Sequence, residues 1–328
     1  MQRSRFVVAR TAKEWLEQFP GSGERAVVTV GNFDGVHLGH QKILQAVKDR
    51  AEPAGTGTPT REGRPVAAVL TFYPHPARVL RPGAAPPLLM TLEQRLAAFA
   101  DAQIDAALVL RFDRELAELT PEEFVRRYVV ETMRAEAVLV GANFRFGHKQ
   151  AGDVSLLRNL GERFGFATEV IAPVAIDGIV VSSTSIREEL REGRVEDARK
   201  LLGRPYALAG EIRPGSGLGT KLVVPTLNLA VDQELLPKLG VYATEVALNG
   251  KTYQAATNVG VRPTFDGAST TVESHLLDFD ETRSSGSMEV RFLHRLRDEQ
   301  KFPSAQALRE QILGDIDRAR EYFEMAKQ

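Results

Sequence analysis

The chain has 328 residues, with Lys+Arg 42 against Asp+Glu 43, a formal net charge of −1 and no cysteine. One hydrophobic core rarely serves more than about 250–300 residues, so two domains are expected. A hydrophobic fraction of 43% is ample for both and excludes wholesale disorder, the near-zero charge argues against a nucleic-acid coat, and the lack of Cys excludes thiol nucleophiles, disulfides and cysteine zinc sites.

Taken in chain order, Met1 to Phe19 is mixed polar and charged, without the apolar core of a signal peptide. No run of roughly eighteen apolar residues occurs anywhere, so neither a membrane span nor a membrane partner is expected, and the plain location is the cytoplasm. Val27–Val30 reads as a buried strand and His40–Arg50 as a helix with Ile43, Leu44 and Val47 on one face. A Gly/Pro/Thr-rich loop, Pro53–Pro65, leads to a strand over Val66–Phe72. Then follow helix Leu92–Ala102, strand Ala107–Leu110, helix Pro121–Met133, strand Ala137–Val140, helix Val154–Arg163 and strand Ala167–Ala172. Strands that are apolar throughout and alternate with helices predict an α/β domain with a parallel sheet covered on both faces. Ile186–Leu202 reads as a charged amphipathic connecting helix.

From Arg204-Pro205 the texture changes. Strands follow one another directly: Tyr206–Ile212, Val224–Ala230, Val241–Leu248, Thr252–Val259, Thr271–Phe279 and Met288–Arg295. Asn249-Gly250 is a hairpin turn between two of them. This predicts an all-β part, a small antiparallel barrel or sandwich, followed by a helix over Ser304–Met325.

Two stretches carry chemistry. The first runs Gly31-Asn32-Phe33-Asp34-Gly35-Val36-His37-Leu38-Gly39-His40, leaving a strand and entering a helix. His37 and His40 share one side of the first helical turn, where free N–H groups and the positive dipole end suit a polyphosphate. Asn143 closes another strand, where its amide can read an adenine or ribose edge. Ser185 with Glu188 forms a capping box, so Ser183, Thr184 and Arg187 surround a second helix N-terminus able to cradle phosphates. The second stretch has alternate glycines, Gly215, Gly217 and Gly219, whose backbone N–H groups can cradle phosphate, followed by Pro225-Thr226-Leu227-Asn228. On a strand Thr226 and Asn228 point to one face, two neutral oxygens suited to a Mg²⁺ ion that also holds phosphates.

The His-x-Gly-His pattern after Gly-x-Phe-Asp-Gly resembles the nucleotidylyltransferase superfamily. More narrowly, the chain resembles the prokaryotic bifunctional riboflavin kinase/FAD synthetase family. Thr71-Phe72-Tyr73-Pro74-His75-Pro76, Gly141-Ala142-Asn143-Phe144-Arg145-Phe146-Gly147 and Ser182-Ser183-Thr184-Ser185-Ile186-Arg187 match its further motifs in order. Beyond residue 204, Pro225-Thr226-Leu227-Asn228, Asn258-Val259-Gly260 and Glu273-Ser274-His275 resemble its kinase module. The resemblance implies a Rossmann-like adenylyltransferase domain over 1–187, the connecting helix over 188–204, and a six-stranded barrel kinase over 205–328.

It also implies the chemistry. Riboflavin and ATP give FMN in the C-terminal module, and FMN and ATP give FAD and pyrophosphate in the N-terminal one. Small molecules are then the partners, with Mg²⁺ as cofactor, ATP as co-substrate and no nucleic acid. Glu273 matches the base that deprotonates the riboflavin 5′-hydroxyl. Gly31, Phe33, Asp34, Gly35, His37, His40, Asn143, Ser183, Thr184 and Arg187 match ATP-binding positions. His37, His40 and Arg187 among them support the transfer itself. His75, Arg297 and Phe302 match flavin-side positions. In the kinase loop the pattern departs: two family arginines are Leu218 and Thr220, with Lys221 a partial substitute. That leaves open an adenylyltransferase whose kinase module only binds flavin. Also open are a flavin- or nucleotide-sensing regulator and an adenylyltransferase for pantetheine or nicotinate phosphate.

Overall fold

A computed structural model describes residues 6–21, 23–52, 64–213, 224–264, 267–279 and 285–326. Contacts divide the chain into two units, Met1–Val181 and Ser182–Gln328. The kinase-loop residues Gly215, Gly217, Leu218, Gly219, Thr220 and Lys221, and 53–63 of the proline-rich loop, lie outside the described residues.

The first unit is built on strand β2, Ala26–Val30, buried at every position. A strand with no solvent face needs apolar cover on both sides and a hydrogen-bonded neighbour at each edge. The neighbours are β3, Val66–Tyr73, and β5, Ala135–Gly141, both parallel to it. With β1 (Val7–Ala9), β4 (Ala106–Arg111) and β6 (Ala167–Ile171) the sheet runs β1-β4-β3-β2-β5-β6. Val28, Val30, Leu70, Leu108 and Val138 face one layer, formed by α1 (Ala12–Gln18), the 121–132 helix and α7 (Val154–Phe164). Val27, Val69, Ala107 and Leu139 face the other, formed by α2 (Leu38–Ala51) and α4 (Leu92–Asp101). The expected α/β sheet is present.

Several details differ from the expected elements. Met1–Phe19 contains β1 and α1, and Trp15 and Phe19 are core residues. Thr11 caps α1 by accepting from the Glu14 N–H at 3.1 Å. The helix expected over Pro121–Met133 is α-helical only over Pro121–Phe124 (α6) and π-helical over Val125–Thr132. Its i→i+5 pattern shows in Met133 N–H donating to the Tyr128 carbonyl at 3.0 Å. The widened turn sets the pairs Phe124–Val125, Tyr128–Val129 and Thr132–Met133 all against the core. Short helices α3 (Pro76–Leu80) and α5 (Arg114–Glu118), and a hairpin of β7 (Ala175–Ile176) with β8 (Ile179–Val180), were not expected.

The second unit opens with two helices, α8 (Ser183–Arg191) and α9 (Val195–Leu202), instead of one over Ile186–Leu202. The break is at Gly193, whose φ of +78 only glycine adopts readily. Six antiparallel strands then close a barrel in the order β10-β13-β12-β11-β14-β9. They are β9 (Tyr206–Arg213), β10 (Leu227–Val231), β11 (Gly240–Leu248), β12 (Lys251–Thr264), β13 (Gly267–Leu276) and β14 (Ser287–Asp298). Asn249 and Gly250, both at positive φ, turn β11 into β12 as expected. Helix α10 (Ala305–Met325) packs Ile316, Ala319 and Phe323 on Ala243, Ala256 and Leu293.

Inside the barrel, a chain of hydroxyls crosses three strands. Thr244 and Thr257 Oγ1 atoms are 2.6 Å apart, and Thr257 Oγ1 lies 2.8 Å from Ser274 Oγ. All three residues are fully buried. Thr257→Val keeps the shape but takes a partner from two buried hydroxyls, leaving Thr244, among the described residues, only its 3.4 Å contact to the Ala255 carbonyl, at a cost of about 1–3 kcal/mol. Urea unfolding followed at the barrel will show a lowered midpoint at unchanged slope; an unchanged midpoint rejects the hydroxyl chain as a stabilising element.

Candidate active sites

In the first unit the connections from β2 lead to β3 and β4 on one side, and the chain then crosses to β5 on the other. In open parallel sheets such a reversal opens a crevice beyond the carboxyl ends of the strands. The three N-terminal motifs leave the sheet there: Gly31–His40 after β2, Pro74-His75-Pro76 after β3, and Asn143 after β5.

The Gly31–His40 loop is held tightly. Asp34 is buried, and its carboxylate accepts the N–H groups of Leu89 at 3.0 Å and Met90 at 3.3 Å. Phe33, also buried, packs edge-on to Phe99 at 5.4 Å and lies 5.0 Å from the His40 ring. Thus Phe33 and Asp34, expected at the nucleotide, brace the loop from behind. Phe33 and Val36 take positive φ of 52 and 38, a conformation costly for side chains of their shape. At Gly39 the space is tight, since a Cβ there meets the His37 ring at 3.2 Å.

His37 caps α2, its Nδ1 accepting the His40 N–H at 3.3 Å. A neutral His37 therefore carries its proton on Nε2. The His37 and His40 rings stack, centroids 3.7 Å apart and planes 17° from parallel. His40 Nδ1 is shut off from solvent and has no hydrogen-bond partner among the described residues. Burial, then the charges of His37 and Arg95, hold the His40 imidazole well below the ordinary histidine range. The pair thus places two stacked imidazoles at a helix N-terminus, with His40 held neutral.

Arg95 on α4 was not singled out by motif. It is buried and donates from Nη1 to the Asn32 carbonyl and, at 3.3 Å, to Thr71 Oγ1, and from Nη2 to the Phe72 carbonyl at 3.2 Å. Its sequence signal is a charge on the apolar stripe Leu92, Leu96, Phe99. His75 caps α3, with Nδ1 accepting the Ala77 N–H at 3.2 Å. Asn143 is exposed in a turn closed by Phe144 N–H donating to Gly141 O at 3.0 Å.

Ser183, Thr184 and Arg187 lie on α8, in the second unit, with Thr184 exposed and Arg187 buried. The cap of α8 is three residues earlier than expected: Ser182 Oγ accepts the Ser185 N–H and Ser185 Oγ accepts the Ser182 N–H, both at 3.1 Å. The reciprocal partner is thus a serine hydroxyl, which the Ser-x-x-Glu pattern does not describe.

On the barrel, Glu273 stands opposite Asn228 of β10 on one side and Asn258 of β12 on the other. Residues paired this way project to the same face. It is the outer face, since Val272 and Ser274 on either side of Glu273 are buried and Glu273 is partly exposed. Asn258 was quoted within a motif but given no role, and the strand register supplies the missing signal. Thr226 lies just before β10 rather than on a strand, and a hydrogen bond between His275 Nδ1 and the Pro225 carbonyl, 2.9 Å, holds that segment to β13. Arg297, expected on the flavin side, makes a buried ion pair with Asp315 of α10, Nη2 to Oδ2 at 2.7 Å. Phe302 lies under the Arg297 guanidinium, 5.8 Å from ring centroid to Cζ, and lines a groove of about 540 Å³ with Lys301, Gln311 and Arg318.

Family models for FAD synthetase and riboflavin kinase match residues 20–185 and 202–323. The bifunctional riboflavin kinase/FMN adenylyltransferase of Haemophilus influenzae is 35% identical over 297 residues, covering 90% of this chain and 94% of that protein. The chain belongs to the bifunctional riboflavin kinase/FMN adenylyltransferase family. The Escherichia coli member is 34% identical over 313 residues, 95% of this chain and 96% of its own. A solved structure described as a macrolide-efflux protein from Streptococcus pneumoniae has the same fold, with TM-score 0.82, 27% identity, and 96% and 98% of the two chains covered. Among the described residues of this chain no helix is long and apolar enough to cross a membrane. As in its family, the chain is an enzyme with an FAD synthetase domain and a riboflavin kinase domain, both using ATP.

A histidine held neutral in the fold must be protonated when the chain unfolds in acid. Stability from His40 is therefore fully present above the unfolded pKa of about 6.5 and is lost as pH falls below it. The melting temperature of the wild type, relative to His40→Gln, will fall on going from neutral pH to below that value. A difference that does not change with pH removes the neutral-histidine assignment.

Proposed function

We propose that the N-terminal crevice adenylylates FMN and the outer barrel face around Glu273 phosphorylates riboflavin, with the division 1–187, 188–204 and 205–328. In the kinase step the riboflavin 5′-hydroxyl oxygen attacks the γ-phosphorus of ATP, its proton passes to the Glu273 carboxylate, and ADP leaves. What supports this reading is the row Asn228–Glu273–Asn258, one carboxylate between two amides on a partly exposed sheet face. The donors Thr226 and Asn228 are hard neutral oxygens, a set that fits Mg²⁺ shared with phosphates and water. The ion, when bound, would neutralise phosphate charge. The glycines 215, 217 and 219 and Lys221 are assigned to the same ATP by their sequence alone. Phe302 offers the groove beside α10 an aromatic face for the flavin ring.

In the second step a phosphate oxygen of FMN attacks the α-phosphorus of ATP, and the bond to pyrophosphate breaks. No covalent enzyme intermediate is needed, so positioning and charge stabilisation do the work. His37 and His40 donate to the polyphosphate from the start of α2. Asn143 reads the nucleoside and His75 the flavin side, and Ser183, Thr184 and Arg187 are assigned to the departing phosphates by their sequence alone. The observation carrying this step is the stacked histidine pair at a helix N-terminus beyond the carboxyl end of β2.

Separate substitutions test the assignment. With ATP and Mg²⁺, Glu273→Gln should lose FMN formation from riboflavin, on the order of 100-fold or more, while FAD formation from FMN persists. His37→Ala should do the reverse. If both reactions fall together in either variant, the assignment of sites to units is wrong. A wild type that makes FAD from FMN but no FMN from riboflavin would mean a kinase module that only binds flavin.

A further inference from the structure

Beyond the histidine pair, the crevice contains a buried cation that neither the transfer chemistry nor the motif set has assigned. Arg95 is 6% exposed. A guanidinium this enclosed must have its N–H groups met. Its acceptors are not scattered: the Asn32 carbonyl follows β2, and Thr71 Oγ1 and the Phe72 carbonyl belong to the end of β3. The ladder between the two strands runs only to Val30 opposite Leu70, with Gly31 N–H donating to the Leu70 carbonyl at 3.1 Å as its last rung. Past that rung the backbone must turn away to reach Phe33 at positive φ, and Arg95 bridges the two chains at that point. Phe33 in turn touches the His40 ring.

We propose that Arg95 is a positioning residue of the adenylyl-transfer site. It ties the diverging ends of β2 and β3 and sets a fixed positive charge near His40, so His37 and His40 meet the ATP polyphosphate from a held loop. This rests on reading that pair as the adenylyl-transfer site. The planar fork matters, because one ammonium cannot span three acceptors on two strands. The titratable and charged groups around the pair are His37 itself, Arg95 from α4, and, nearest to Arg95, Asp34, Glu93 and Tyr73.

The test uses the full-length chain, with FMN formation from riboflavin as an internal control for folding. The six histidines are few enough to follow individually by NMR. Arg95→Met should lower kcat for FAD formation on the order of 100-fold through loss of alignment, with kinase turnover unchanged. The His40 titration should move up as the neighbouring charge is removed, while burial still holds it below the ordinary histidine range. Arg95→Lys keeps the charge but not the fork, so His40 should stay where it is while kcat still falls. Wild-type kcat in Arg95→Met, or an unmoved His40 titration in that variant, overturns the proposal. If Arg95→Met fails to fold, Arg95→Lys decides: reduced kcat with His40 unmoved supports it, and wild-type kcat overturns it. Retained FAD formation in His37→Ala would overturn the site reading itself. An inactive His37→Ala beside fully active Arg95 variants removes only the role of Arg95.

Discussion

Strand β2 has no face or edge open to water, and the first unit is arranged around that constraint. Burial on both faces requires a helical layer on each side, which α1, the 121–132 helix and α7 supply on one and α2 and α4 on the other. Pairing on both edges requires the chain to go first to β3 and later to β5, and that reversal opens the crevice at the end of β2. The loop leaving β2 must then turn sharply with its polar backbone satisfied. Arg95 and the Asp34 carboxylate do this from behind, leaving α2 to present His37 and His40. Core and site are thus parts of one packing solution.

The barrel meets the same requirement by closure. No strand keeps a free edge, and the alternation of side chains separates two polar groups that stand next to each other in sequence. Ser274 turns inward to a hydroxyl chain shielded from water, while Glu273 turns outward between two amides. The inward hydroxyls saturate one another and stiffen β11, β12 and β13 from within. Adjacent positions on one strand thus combine a partly exposed carboxylate with a backbone held from within.

Much of this was legible because periodicity reports burial. The unbroken apolar run of β2, the direct succession of strands after Tyr206, and Asn249-Gly250 each correspond to one physical demand and were readable as such. His37 and His40 stand out in sequence because they follow a Gly-rich strand-to-helix turn, and the structure stacks their rings at the start of α2. What escaped reading was set by tertiary partners. Trp15 lies in a stretch that reads as mixed polar and charged until the sheet it covers is known. Arg95 breaks the apolar stripe of α4, and only the ends of β2 and β3 explain it. Asp315, eighteen positions on from Arg297, holds its guanidinium, a partner that no local pattern announces. The π-helical stretch after Phe124 and the break at Gly193 both come from packing rather than local propensity.

Charge completes the account. A net charge of −1 gives no general attraction for ATP, so each site must generate its own local field. Histidine would ordinarily be a poor choice, since its charge changes near neutral pH and binding would swing with it. Burial and a fixed neighbouring cation remove that sensitivity by keeping His40 neutral. The helix N-terminus supplies positive potential that does not titrate, and the imidazoles add directed N–H groups. A polyphosphate site of the proposed kind depends on the position of its donors more than on their charge, which is why the restraints on the loop matter as much as the residues it carries.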